Sequence, residues 1–188
     1  MTFPIANILT MVRIVMIPLV VILFYLPYPW SAPAAGLVFG LAAVTDSLDG
    51  YLARRLGQTS ALGAFLDPVA DKLMVAVALV LVASGDPRWF IVVSAIIIIG
   101  REITVSALRE WMAEIGARAK VAVSNMGKWK TIFQMVGLSF LLYRDDLFGL
   151  PIYPLGILLT AAAAVLTLWS MISYLKAAWP DLVQSRSK

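Results

Sequence analysis

Four carboxylates carry the chemistry that this chain could perform. Asp46 and Asp49 stand three residues apart and Asp67 and Asp71 four apart, in the stretch TDSLDGYLARRLGQTSALGAFLDPVADK at the ends of two long apolar runs. On helices each pair falls on one face, where neighbouring side chains can share a ligand. Small residues accompany them: at about 100° per residue, Gly50 and Ala53 lie within roughly 40° of Asp46, and Gly63 roughly 40° from Asp67, which clears room on the acidic faces. Four partly desolvated acids repel one another and take up protons unless cations neutralise them, so a divalent-metal site is the simplest resolution. The chain has no histidine and no cysteine. Oxygen-only ligands favour Mg²⁺ or Mn²⁺ over zinc, and this many carboxylates suit two ions. Arg54, just beyond Asp49, adds a planar fork for phosphate oxygens, and metal with arginine describes phosphoryl transfer. The competing explanation is a helix contact in which the acids pair with Arg54, Arg55 and Lys72. Against it, ionisable residues inside a membrane are costly and are usually functional.

The elements that must position these acids are membrane helices. Hydrophobic residues make up 61% of the 188 residues and charged residues 14%, with a mean hydropathy of +0.89. A soluble domain of that composition would lack an adequate polar surface. At about 20 residues per span, the length allows roughly six helices with short loops, and a single membrane domain over 1–188. The expected fold is therefore all-α, a six-span bundle preceded by a short interfacial segment at 2–6, in which Pro4 suits a helix start. Spans are expected at about 7–28, 34–56, 61–83, 89–114, 124–143 and 151–178. The first is not a signal peptide, because its basic residue, Arg13, lies inside the apolar run and further apolar segments follow. The lack of cysteine and histidine removes thiol nucleophiles, the commonest general base and the HExxH metalloprotease motif, leaving carboxylates as proton acceptors. No nucleic-acid partner is expected.

Basic residues set the orientation. Arg54, Arg55, Arg118, Lys120, Lys128, Lys130, Lys176, Arg186 and Lys188 fall on one side of the six-span scheme, and only Arg88 and Arg144 on the other. That asymmetry puts both termini and the acidic cluster on the cytoplasmic side of the membrane. Arg101, Arg109, Lys128 and Lys130 reach the same side. They could meet anionic headgroups of membrane lipids, form an internal network with Glu102 and Glu110, or hold an anionic substrate. Asn7, Thr10 and Arg13 recur every three residues on one polar stripe of the first span, with Arg13 read either as a snorkelling side chain or as part of the site. Ser60 suits a helix cap. The sixth span reads as ordinary, its Trp and Tyr residues suited to the interfaces.

The pattern DxxDGxxAR, eight residues, then GxxxDxxxD is met at Asp46, Asp49, Gly50, Ala53, Arg54, Gly63, Asp67 and Asp71 without a departure. It resembles the signature of the CDP-alcohol phosphotransferase family, whose members join a CDP-linked lipid or alcohol to an acceptor hydroxyl and release CMP. The resemblance extends over most of the chain. It implies that Asp46, Asp49, Asp67 and Asp71 bind the metals and that Asp71 also takes the hydroxyl proton, a role the spacing alone does not assign to any of the four. It implies further that Asn7, Thr10, Arg13 and Ser60 border the nucleotide, that Gly50, Ala53 and Gly63 make room for it, and that Arg54 contacts phosphate. REITVSALRE and GKWK look like segments of those members whose acceptor is sn-glycerol 3-phosphate, with Arg101, Arg109, Lys128 and Lys130 around its phosphate. The implied reaction moves a phosphatidyl group from CDP-diacylglycerol to that acceptor, in a homodimer. An inositol-phosphate acceptor is anionic too, so charge alone does not separate the two. A cation transporter also lines a cavity with membrane carboxylates, but it does not need Gly50, Ala53 and Arg54 in register and often shows an inverted repeat, which is not apparent here.

Overall fold

The structure, a computed structural model, describes residues 5–56, 61–116 and 126–184; within these ranges the side chains of 5–8, 47–56, 61, 62, 64, 126–128 and 181–184 lie outside the description. Six helices follow one another: α1 (Ile5–Tyr25), α2 (Ser31–Leu56), α3 (Ala61–Gly85), α4 (Trp89–Glu114), α5 (Met126–Tyr143) and α6 (Ile152–Gln184). The expected all-α architecture is the observed one, with no strand among the described residues beyond an isolated bridge between Leu147 and Leu150. Residues 2–4 of the expected interfacial segment lie outside the described residues, while Ile5 and Ala6 belong to α1.

Helix ends follow the backbone chemistry of proline and of unsatisfied donors. Helix α1 stops at Tyr25, three residues short of the expected end, because Pro27 cannot continue it and biases Leu26 away from helical angles. Helix α2 starts three residues early, at Ser31, and takes Pro33 into its first turn, where backbone N–H groups have no intrahelical partner to lose. The Ser31 hydroxyl donates to the carbonyls of Leu26 and Tyr28 at 2.8 and 2.7 Å, tying the turn to the new helix. Helix α4 has the expected limits, and α6 runs on past Pro180 to Gln184.

The helices close into a ring: α1 packs on α2, α2 on α5, α5 on α6, α6 on α4, α4 on α3 and α3 back on α1, with α3 also touching α5 across the middle. Helices α4 and α5 make little direct contact. Phe39, Met74, Leu79, Ile98, Leu138 and Leu142 meet in the main core. A smaller core is formed by Val105, Leu108 and Met112 of α4 with Tyr174 and Ala178 of α6. Two glycines allow the closest crossings. A Cβ at Gly36 would lie 2.6 Å from Tyr143 Cβ, and one at Gly137 would lie 2.6 Å from Thr160 Oγ1, so α2 and α6 approach α5 at distances any side chain would prevent.

The outside is apolar as well. Val15, Leu37, Ile96, Leu158 and Val165, all in mid-helix, are each more than half exposed. Helices with apolar residues both inside and outside are those of a membrane protein. Trp89–Glu114 and Ile152–Pro180 are long and apolar enough to cross a membrane, and Leu9–Tyr25 and Ser31–Asp46 are shorter apolar stretches.

Candidate active site

Helix α1 brings the acids of α2 and α3 together. Thr10 and Arg13, one turn apart, are both buried, Arg13 to 1% exposure. The Thr10 hydroxyl donates a hydrogen bond to Asp67 Oδ1. Arg13 Nη1 donates to Asp71 Oδ1 at 2.6 Å and lies 3.0 Å from Asp46 Oδ1. One guanidinium nitrogen thus joins a carboxylate of α2 to a carboxylate of α3, 25 positions later in the chain. The snorkelling reading of Arg13 is corrected: its stem and head face inward, because two carboxylates inside the ring offer more than a distant headgroup layer. The acids themselves are about one-third exposed, so the site opens to a polar mouth over a buried cation.

Both acidic pairs sit on unbroken helix, and α3 passes through Pro68 without interruption, keeping Asp67 and Asp71 one turn apart. Gly63 is buried in the first turn of α3. The side chains of Asn7, Asp49, Gly50, Ala53 and Arg54 lie outside the described ones, and Ser60 lies outside the described residues. Among the described residues no group of three or more acids gathers at metal-binding spacing. The donor chemistry nevertheless fits a hard divalent ion. Asp46 and Asp71 at Arg13, with Asp67 at Thr10, leave an excess of two formal negative charges, all on oxygen.

A second charged cluster has the opposite sign. Glu102 Oε1 accepts from Arg101 Nη1 of its own helix and from Lys130 Nζ of α5, both at 2.8 Å. Lys130 is 4% exposed and Arg101 8%. The Glu102–Lys130 pair joins α4 to α5, whose backbones come close at few other points among the described residues. Arg101 Nη2 donates to Ser170 Oγ of α6 at 3.1 Å, and Arg109 Nη2 donates to the Tyr174 hydroxyl at 3.1 Å. Both guanidinium groups also lie over the Tyr174 ring, at 5.8 and 5.3 Å from its centre. The Nε–H groups of Arg101 and Arg109 are buried without a hydrogen-bond partner among the described residues. Such donors cost about 1–3 kcal/mol each unless an acceptor fills the place, and an anionic oxygen is the natural one.

Of the basic residues singled out in the sequence, the structure gathers Arg101, Arg109 and Lys130, while the Lys128 side chain lies outside the description. The internal ion-pair reading also holds in part: Glu102 pairs with Arg101 and Lys130, not with Arg109 seven residues on. Sequence reasoning missed Ser170 and Tyr174. Trp169 and Trp179 do face outward, but Tyr174 between them is 9% exposed and turned into the cluster. No sequence signal separates it from its interfacial neighbours. Lys72 of α3 and Glu102 and Glu110 of α4 line one cavity of about 420 Å³ between those helices.

A profile of the CDP-alcohol phosphatidyltransferase family matches residues 3–169. The chain is 53% identical over 183 residues to the CDP-diacylglycerol–glycerol-3-phosphate 3-phosphatidyltransferases of Shigella flexneri serotype 5b and Escherichia coli K12, covering 97% of this chain and 99% of each relative.

Proposed function

The chain belongs to the CDP-alcohol phosphatidyltransferase family, and from that premise we infer that it transfers the phosphatidyl group of CDP-diacylglycerol to sn-glycerol 3-phosphate, giving phosphatidylglycerophosphate and CMP. The observation that carries the site assignment is the convergence of Thr10 and Arg13 on Asp67, Asp71 and Asp46, which joins three helices in one polar cluster. Asp46, Asp49, Asp67 and Asp71 would hold the divalent metal, Mg²⁺ or Mn²⁺ and two ions by the number of acids. The metal, when bound, offsets charge on the diphosphate and on the departing CMP.

The chain's own residues do the rest. Asp71 accepts the proton of the acceptor's primary hydroxyl as its oxygen bonds to the phosphatidyl phosphorus and the bond to CMP breaks. Arg13, held at the acids, and Arg54 contact phosphate oxygens; Asn7, Thr10 and Ser60 border the nucleotide, with Gly50, Ala53 and Gly63 leaving it room. Arg101, Arg109, Lys128 and Lys130 hold the acceptor phosphate, a role supported by the two unpartnered buried Nε–H donors. An apolar groove of about 650 Å³ between α2 and α5 suits the lipid chains: it reaches Val44, two residues from Asp46, and Thr131, beside Lys130.

Around this site the reading places six membrane spans in a single domain, both termini and the acids on the cytoplasmic face of the inner membrane, and a homodimeric assembly. Purified protein in mixed micelles, given CDP-diacylglycerol and a panel of acceptors, tests it. CMP release should require glycerol 3-phosphate; release with inositol phosphate or serine instead would reassign the acceptor.

A further inference from the structure

Tyr174 is a buried aromatic side chain that touches two arginines, and neither the acids nor the lipid groove accounts for it. Its ring is fixed in the small core of Val105, Leu108, Met112 and Ala178. Arg101 and Arg109, a little over two turns apart on α4, both lie against that ring, and the hydroxyl accepts a hydrogen bond from Arg109. Two like charges over one neutral ring repel each other, and the arrangement gains most when an anion sits between or beside them. The bonds already made use Nη atoms of both arginines and leave both Nε–H groups buried and unengaged. An arginine has a long flexible stem but a rigid fork, so whatever fixes the fork decides how well it meets phosphate oxygens.

We propose that Tyr174 is the positioning residue of the acceptor pocket: it holds the guanidinium groups of Arg109 and Arg101 in the orientation that receives a phosphate monoester. This rests on the reading that these arginines bind the acceptor phosphate. Tyr174 itself need not touch the substrate. Its hydroxyl sets the rotation of the Arg109 fork, and its ring supports the cations at a site where water is largely excluded.

Saturation curves for glycerol 3-phosphate and CDP-diacylglycerol, measured in mixed micelles of fixed lipid charge, provide the test. Tyr174→Phe keeps the ring and removes the hydroxyl. Its KM for glycerol 3-phosphate should rise about ten-fold, the size of one charge-assisted hydrogen bond. Its kcat and its KM for CDP-diacylglycerol should stay at wild-type values, while its thermal midpoint falls modestly because the Arg109 donor loses its acceptor. Tyr174→Leu, which also removes the ring, should raise the same KM further. An unchanged KM in Tyr174→Phe, or a rise for both substrates together, overturns the proposal. Arg109→Ala, run alongside, separates the two layers. If Arg109→Ala leaves the glycerol 3-phosphate KM untouched, the acceptor assignment itself fails; if it raises that KM while Tyr174→Phe does not, only the role of Tyr174 fails.

Discussion

The acidic cluster of α1–α3 and the basic cluster of α4–α6 are built on one plan with the signs reversed. Three carboxylates accompany one cation in the first, Asp46 and Asp71 paired with Arg13 and Asp67 held by Thr10 one turn away; three cations, Arg101, Arg109 and Lys130, accompany one carboxylate, Glu102, in the second. In each, the lone opposite charge links successive helices of the chain. In each, the described charges do not cancel, leaving two negative on one side and two positive on the other. A buried excess of charge is expensive, and its persistence at both places points to ligands of complementary charge. The difference teaches what each cluster is for. The acids are oxygen-only and partly open, as a divalent metal and diphosphate require; the bases are more deeply buried and stacked on an aromatic ring, as a defined phosphate monoester requires.

The largest effect should follow from Asp71→Asn, which removes the proposed base as well as a ligand. Its kcat should fall roughly 10²–10⁴-fold with CDP-diacylglycerol binding largely kept. Rapid-quench turnover set against equilibrium lipid binding checks this, and an equal loss of both would leave Asp71 a ligand only.

Next come the two lone counter-ions, whose removal tests the mirror relation directly. Arg13→Gln and Glu102→Gln should each destabilise the protein by about 2–4 kcal/mol, the cost of stranding buried charge, moderated by partial exposure of the partners. Their rescues should be opposite: Mg²⁺ should restore the thermal midpoint of Arg13→Gln but not of Glu102→Gln, and glycerol 3-phosphate the reverse. Melting curves in detergent with each ligand decide it, and rescue of both variants by the same ligand would dissolve the comparison.

A smaller change is expected within the basic cluster itself. Arg109→Ala should raise KM for glycerol 3-phosphate about 10- to 100-fold with little change for the lipid substrate. Paired saturation curves measure it.

The smallest effect belongs to a third ion pair at the opposite ends of the helices, in the α3–α4 turn. Arg88 hydrogen-bonds Asp86 at 2.5–3.0 Å, Tyr153 donates to the same carboxylate, and the Arg88 bonds, followed by the Tyr153 bond, hold the Asp86 carboxyl down at about 2. A depressed carboxyl stabilises the fold above its ordinary value near 3.8 and loses that contribution as pH falls through about 2. Asp86→Asn should therefore narrow its deficit against wild type between pH 5 and pH 2 while leaving activity at neutral pH intact. A thermal-midpoint gap that is flat over that range would show that the pair is thermodynamically silent.

Much of the acidic site was readable in the chain. A three- or four-residue spacing puts Asp46 with Asp49 and Asp67 with Asp71 on shared helix faces whatever the rest of the fold does, because helical geometry alone dictates it. The stripe of Thr10 and Arg13 was readable in the same way, but its destination was not. The basic site was legible only as an excess of charge at one level. That Lys130 crosses to Glu102, or that Tyr174 rather than Trp169 or Trp179 turns inward, depends on how each helix is rotated about its axis.

The amino-acid sequence by itself determined that this is a helical membrane protein with paired acids on two helices and the full signature of its family. Composition sets the solvent, and periodicity sets which residues of one helix stand together. Only the tertiary structure decided which helices meet, and hence that Arg13 bridges Asp46 and Asp71 and that Glu102 reaches Lys130. The physical reason is that a helix apolar on every side has no polar face to tell its outside from its inside. Its rotation is set instead by close packing at small residues such as Gly36 and Gly137 and by the few polar groups that must find partners away from lipid.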